Sequence, residues 1–278
     1  MAAEEFPPAG VDATVPNVAR VYDCFLGGKD NFAVDRAVVE ASLRIDPDTA
    51  KNALANRAFL GRAVRHMAGL GIRQFFDIGS GLPTQNNVHQ IAQAVIPDAR
   101  VVYVDNDPTA AAHGHALLEN AETVAFVHGD IRDLDALLDH PKVRRGLDFG
   151  EPVGLLLFGI LHHLNDDEGP GEIAARLRDV LAPGSHLAIS HFHNPGEADP
   201  AGAEAARTAE AFFAERFQTG RFRTTGEIRA YFGDFELLDP GLVPLNDWRP
   251  DGTEPDLPPR NRPLFAAGVA RKPAPSPA

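Results

Sequence analysis

Apolar residues at helical spacing open the chain. Val18, Val21, Tyr22 and Phe25 share one side of a helix that Gly27-Gly28 stops. A second helix is expected over about 32–43, broken by Asp46-Pro47-Asp48. A third follows over about 49–68, with an apolar stripe of Leu54, Ala58, Leu60, Ala63, Val64 and Met67, and with Gly69 and Gly71 bracketing its exit. From residue 74 the texture changes. Short apolar runs at 74–77, 100–105, 124–128, 153–158 and 186–191 read as strands, separated by helical patterns near 85–95, 108–118, 134–138 and 171–181. Such alternation predicts a parallel sheet covered on both faces. Farther on, a helix over 200–217 precedes a Thr224-x-x-Glu227 capping box, and two strand-like runs at 235–238 and 264–270 suit an antiparallel pair at the sheet edge. The pattern divides the chain into frayed tails at 1–14 and 273–278, a helical cap over 15–72 and an α/β domain over 73–272.

Composition narrows the picture. At 278 residues and 44% hydrophobic, the chain can bury a full core, while its longest apolar run, Val153 to Ile160, is strand-sized and too short for a bilayer. The opening MAAEEFPPAG has acidic residues where an export signal needs basic ones. With Cys24 the single cysteine, no intramolecular disulfide can form, and a reducing cytoplasm is the expected location. A formal net charge of −13 argues against a broad nucleic-acid surface. The loose cluster of Arg216, Arg221, Arg223 and Arg229 is either a local basic patch or solvated helix surface.

In an open parallel sheet, ligands bind at the carboxyl ends of the strands. The first such loop reads Asp77-Ile78-Gly79-Ser80-Gly81-Leu82-Pro83-Thr84. Its glycines let backbone approach a ligand, and Asp77 suits a cationic amino group but repels a pyrophosphate. Thr84 stands where a dinucleotide fingerprint has its third glycine, so an adenosyl amino acid is preferred to NAD. The second strand ends in Asp105, placed to accept from ribose hydroxyls or to cap the next helix, a role that Asp107-Pro108 also fits. The third ends in Asp130, a candidate acceptor for an adenine amine with the Ile131 N–H meeting a ring nitrogen; Asp130 would also serve as a turn former. Phe158-Gly159-Ile160-Leu161-His162-His163 closes the fourth strand where a reacting group should lie. His162 or His163 would there remove a proton or pack. His191 and His193 share a face at the end of the fifth strand. No carboxylate stands at matched spacing, so no metal is expected, and one pocket histidine is. After the first helix, Lys29-Asp30-Asn31 is a polar turn that either folds over the cofactor's mouth, bringing Tyr22, Lys29 and Asn31 to it, or only caps the helix.

These features together resemble class I S-adenosylmethionine-dependent methyltransferases. More narrowly, the strings Ala19-Arg20-Val21-Tyr22-Asp23-Cys24-Phe25-Leu26-Gly27-Gly28-Lys29-Asp30-Asn31-Phe32, Gly71 to Thr84 and Val102-Tyr103-Val104-Asp105-Asn106-Asp107-Pro108 resemble the actinomycete-type S-adenosyl methyltransferase family, formerly a domain of unknown function. The resemblance implies a Rossmann-like α/β fold, a seven-stranded, mostly parallel sheet with an antiparallel last strand behind an N-terminal helical extension. It implies S-adenosylmethionine as cofactor, contacted by Asp77, Gly79, Gly81, Asp105 and Asp130, and Ser80, Asn106, Ile131, Phe158, Tyr22 and Asn31 join the expected site. Cys24 stands where the family often has an aromatic residue. Methyl transfer to a small-molecule acceptor is expected, with His163 and His191 as candidate bases. A non-catalytic cofactor-binding regulator and an NAD-dependent oxidoreductase are the competing readings. No N/D-P-P-Y/F string follows the fourth strand, which counts against amino-methylation of nucleobases.

Overall fold

Strand runs in which every residue is apolar need cover on both sides, and the computed structural model supplies it. Residues 11–83, 87–118 and 122–274 are described; most of the two expected tails, Thr84 and the expected helix start at Gln85 lie outside them. Three helices come first: α1 Val18–Phe25, α2 Ala33–Ile45 and α3 Thr49–Gly69. The sheet region follows as β1 Gln74–Ile78, α4 Val88–Gln93, β2 Arg100–Asp105, α5 Pro108–Leu118 and β3 Val124–His128. Next come α6 Leu134–Asp139, α7 Pro141–Gly146, β4 Gly154–Phe158, α8 Pro170–Asp179 and β5 His186–Phe192. The chain then forms α9 Pro200–Phe217, α10 Thr225–Ala230, β6 Glu236–Leu237, β7 Val243–Pro244 and β8 Phe265–Arg271.

The strand order is β3-β2-β1-β4-β5-β8-β6, with β7 also on β8. β1 to β5 are mutually parallel, and β8 runs antiparallel to β5, Leu187 facing Ala270. The sheet has eight strands where the resemblance implied seven. The extra one arises because β6 and β7 pair with successive stretches of the same edge of β8, at Ala270 and Ala267 respectively. The seventh place is thus filled by an edge strand in two pieces. Pro244 sits in the second piece, as an edge strand permits.

Successive strand residues feed opposite layers. Phe75, Val101 and Leu156 pack with Phe59, Val64 and Met67 of α3, Ala92 of α4 and Ala110 of α5. Phe76, Val102, Leu155 and Leu157 pack with Leu134 of α6, Val143 of α7 and Leu177 of α8. Period-two side chains on two-sided strands therefore turn a continuous apolar run into two cores. Helix α7 has no counterpart in the expected pattern. Its six residues carry no amphipathic period, and burial of Val143 decides it, with the His140 side chain accepting from the Lys142 N–H at 3.2 Å as cap. Helices α1 and α2 pack against the far end of α9 through Val21, Val38, Val39, Phe212 and Phe217. Cys24 is spent there as a packing residue.

Candidate functional site

A cavity of about 690 Å³ lies over the carboxyl ends of β1, β2, β4 and β5, roofed by α1, α3 and α9. That volume is in the range of ligand pockets, roughly 300–1,000 Å³. The turn after β1 forms part of its floor. The Gly79 and Ser80 N–H groups donate to the Val104 carbonyl at 2.8 and 3.0 Å, tying the turn to β2. Gly79 has φ +76°, and a Cβ there would lie 2.8 Å from the Ile160 side chain, so both conformation and packing demand glycine. Gly81, at φ +67°, has nothing within 4 Å of where a Cβ would stand; its conformation needs glycine, and open space lies beside it.

Two carboxylates end the adjoining strands on this floor, Asp77 at 4% and Asp105 at 7% exposure. Asp105 accepts from the Gly81 N–H at 2.7 Å and from the Asp107 N–H at 2.9 Å. Asp107 takes the capping role on α5, accepting from the Thr109 and Ala110 N–H groups at 2.6 and 3.0 Å. Burial pushes the Asp77 carboxyl up to about 7, eased by Arg57 and reinforced by Asp105. Burial likewise raises Asp105 to about 6 against the opposing pull of the Asp107 and Gly81 N–H groups. Two buried acids near each other are costly when ionised, and a cationic ligand removes that cost.

Tyr22, Asp77, Gly79, Ser80, Gly81, Asp105, Asn106, Phe158 and His163 all line the cavity. Asp130 and Ile131 stand just outside the lining. Asp130 accepts from Asn106 Nδ2 at 2.9 Å and pairs with Arg132 at 3.1 Å, both cavity residues. Burial alone would raise its carboxyl, but the Arg132 N–H, the Asn106 amide and the Arg132 guanidinium hold it below the usual range. Ile131 is buried in the core beneath. The cavity does not reach Asn31, whose amide donates to Asp23 Oδ2 and the Gly28 carbonyl, each at 3.0 Å, so it pins its own loop. Lys29 is exposed.

The histidines divide in the same way. His191 is fully buried away from the cavity, with Nδ1 2.6 Å from the Phe192 carbonyl and Nε2 3.3 Å from Arg223 Nη1. Burial takes it down to about 3. His193 spends both nitrogens, on the Pro263 carbonyl at 2.7 Å and Thr225 Oγ1 at 2.9 Å. His162 Nδ1 accepts from the Phe192 N–H at 3.1 Å and its ring stacks on Phe192 at 3.6 Å. His163 keeps Nδ1 without a partner among the described residues, and burial, with Arg132, lowers it to about 4, so it is uncharged near neutrality. Arg223 is no surface cation: it is 6% exposed and donates to the Leu161 and Leu164 carbonyls at 3.1 and 3.0 Å.

Several lining residues escaped the sequence reading. Asn52 and Asn56 of α3 are buried, each with its Oδ1 unpartnered among the described residues, and Asn56 Nδ2 donates to the Tyr22 hydroxyl at 3.1 Å. Their four-residue spacing within an apolar stripe was the available signal. Ala201, Ala205 and Ala209 repeat at four along α9, placing small side chains on the cavity face ahead of Phe212 and Phe213. The unpartnered Asn52, Asn56, Ser80 and His163 atoms, together with the two acids, fit a ligand with cationic, hydroxyl and amine groups. Among the described residues no group of three or more His, Cys, Asp or Glu is placed to hold a metal ion, and no helix is long and apolar enough to cross a membrane.

Strand order and the reversed β8 define a Rossmann-like methyltransferase fold with its site at the carboxyl edge of the sheet. The chain belongs to the S-adenosyl methyltransferase family, whose sequence pattern matches residues 4–273, and it is thereby an S-adenosylmethionine-dependent methyltransferase. A solved structure similar to it is that of a candidate methyltransferase from Thermobifida fusca YX, with TM-score 0.89 and 44% identity over 97% of this chain and 99% of that one. A DUF574 family protein from Streptomyces avermitilis MA-4680 has TM-score 0.87 and 37% identity over 94% and 99% of the two chains. Among curated proteins none matches the chain.

Proposed function

We propose that the cavity holds S-adenosylmethionine along its floor and passes the methyl group to a small-molecule acceptor under the roof. The observation that carries this is the pair of buried carboxylates, Asp77 and Asp105, facing a cavity with a glycine turn between them in sequence. In this reading Asp77 pairs with the ligand's amino group, and Asp105 accepts from the ribose hydroxyls. Asp130 and the Ile131 N–H meet the adenine edge, reached through their neighbours Asn106 and Arg132. Ser80, Phe158 and Tyr22 complete the cofactor's surroundings. Asn31 supports the site only by fixing the loop after α1. When bound, the cofactor supplies an electrophilic methyl group on a sulfonium, so the protein's task is to align the acceptor and exclude water. His163 Nδ1 is the atom placed to hold an acceptor proton, which His191 is not.

Residues 15–72 act here as a cap over the catalytic domain of 73–272, a role supported by the α1 and α3 side chains in the lining. The reading places the chain in the cytoplasm, which the lone Cys24 suits. Against an oxidoreductase, a dinucleotide would set its pyrophosphate beside Asp77. A non-catalytic regulator would have no use for the unpartnered His163. Calorimetric titration tests the reading: S-adenosylmethionine should bind and NAD should not. Asp105→Ala should weaken the former by about 1–3 kcal/mol through loss of a charge-assisted hydrogen-bond pair. Equal affinities for the two ligands, or no loss in the variant, would refute it.

A further inference from the structure

The roofed end of the cavity differs chemically from its floor. Phe192 forms the centre of an aromatic wall, with ring centroids 4.9 Å from Phe213, 4.6 Å from Phe222 and 4.9 Å from Phe265. The rings of Phe192 and Phe222 lie nearly parallel, at 15°, while Phe265 meets Phe192 edge-on at 81°. All four rings line the cavity. Into this wall are set two polar atoms that have no partner among the described residues, His163 Nδ1 and Thr219 Oγ1. The His163 ring is 5.9 Å from Phe192 and 6.1 Å from Phe213. Thr219 belongs to the same corner, because the Gly220 and Arg221 N–H groups that follow it both donate to the His162 carbonyl, at 3.1 and 2.8 Å.

The four rings carry no charge, and the charged groups nearby are engaged: Arg132, which acts on His163, pairs with Asp130 and Glu168, and Glu210 accepts from the Phe222 N–H at 3.0 Å. Among the described residues, Glu204 is the one charged side chain that α9 sets on the cavity, and it is exposed and paired with Arg207. Stacked and edge-on rings select flat π-surfaces by geometry as well as by area. Buried atoms that lack a hydrogen-bond partner select ligands that supply one, since leaving them unpaired is costly.

Resting on the methyltransferase reading above, we propose that this end is the acceptor subsite. It takes an uncharged, planar aromatic molecule bearing a protic heteroatom, a phenol-type O–H or a ring-type N–H, addressed by His163 Nδ1 and Thr219 Oγ1. His163, uncharged and enclosed, receives the hydrogen; Thr219, able to donate or accept, orients the heteroatom. The rings of Phe192, Phe213, Phe222 and Phe265 hold the flat body, and the acidic floor stays with the cofactor.

The test uses the full chain saturated with S-adenosylhomocysteine and titrated calorimetrically with three probes: 2-naphthol, 2-methoxynaphthalene and octanoate. The expected order places 2-naphthol about tenfold tighter than its methyl ether, which cannot donate to His163, with octanoate weakest. His163→Ala should erase the difference between the two naphthalenes, and His163→Gln, which keeps an acceptor atom in place, should restore most of it. Phe213→Leu should weaken both naphthalenes together. Octanoate binding as tightly as 2-naphthol, or a naphthol preference that survives His163→Ala, overturns the proposal. S-adenosylhomocysteine is titrated into each protein first. If it binds and 2-naphthol does not, the acceptor proposal fails while the cofactor reading stands; if it does not bind, the cofactor reading itself has failed.

Discussion

Along the cavity floor, Asp77, the Gly79 to Gly81 turn and Asp105 come from a single β–α–β unit, each placed by strand register and backbone hydrogen bonds. The roof draws on α1, α3, α9 and the segment around Phe222, regions far apart in the chain and joined by side-chain packing and a few isolated hydrogen bonds rather than by a strand ladder. The floor is polar, tied down and demanding of its glycines. The roof is aromatic, half-buried and bordered by unpartnered polar atoms. A local rule thus suffices for the part proposed to hold the cofactor, and a tertiary assembly makes the part proposed to hold the acceptor. Loop and helix surfaces that are not bound into a ladder are freer to change.

The sharpest way to probe this contrast is the same truncation in both regions. Phe75, fully buried beneath the floor, should cost about 3–5 kcal/mol on Phe75→Ala, because the void is sealed by Ile72 and the β4 backbone at Gly154. Phe213→Ala only widens a cavity that already exists and should cost about 1 kcal/mol. Urea unfolding of the two variants measures both, and equal losses would break the distinction.

Next in size comes pH. In the proposed site the ligand's cation pairs with the ionised form of Asp77, raised to about 7, and its ribose hydroxyls donate to the ionised form of Asp105, raised to about 6. Cofactor affinity should therefore be near its full value by about pH 8 and fall as pH drops through those values. A roughly tenfold loss from pH 8 to pH 6 is expected by calorimetry. His163, lowered to about 4, stays neutral across that window and adds nothing to the slope. A flat profile would mean the two acids do not meet the ligand. The smallest effect belongs to a pair in neither region. Arg73 and Asp98 form an exposed bridge at 2.5 Å, and Arg73→Ala should change stability by less than about 0.5 kcal/mol in the same unfolding assay.

Much of the floor was legible beforehand because its elements follow short-range rules. The runs at 100–105 and 124–128 are β2 and β3 residue for residue, and Asp107-Pro108 caps α5 as its pattern indicates. The edge was harder to read. A single run at 235–238 became β6, whereas β7 at Val243–Pro244 is two residues long and exists only because β8 offers a free edge. Histidines gave the least. His162, His163, His191 and His193 look alike in the sequence, yet three of them spend a nitrogen on a neighbouring backbone or side-chain group and only His163 keeps Nδ1 for the cavity. Which carbonyl stands beside a ring nitrogen is a matter of three-dimensional packing, and no spacing rule reaches it. Arg223 illustrates the same limit: it reads as one of four arginines in a loose cluster and is in fact a buried clamp on Leu161, Leu164 and Asp166.

By itself, the order of apolar runs and turns indicated the alternating strands and helices, an antiparallel pair at the sheet edge, the glycine turn and the acidic strand tips, because element type and turn chemistry depend on residues a few positions apart. Tertiary structure alone decided the size of the cavity, the aromatic wall brought over it by α9 and which strand-end histidine keeps an unpartnered nitrogen at the cavity among the described residues. Those depend on which distant surfaces meet, and van der Waals contact and hydrogen-bond competition act between neighbours in space rather than along the chain.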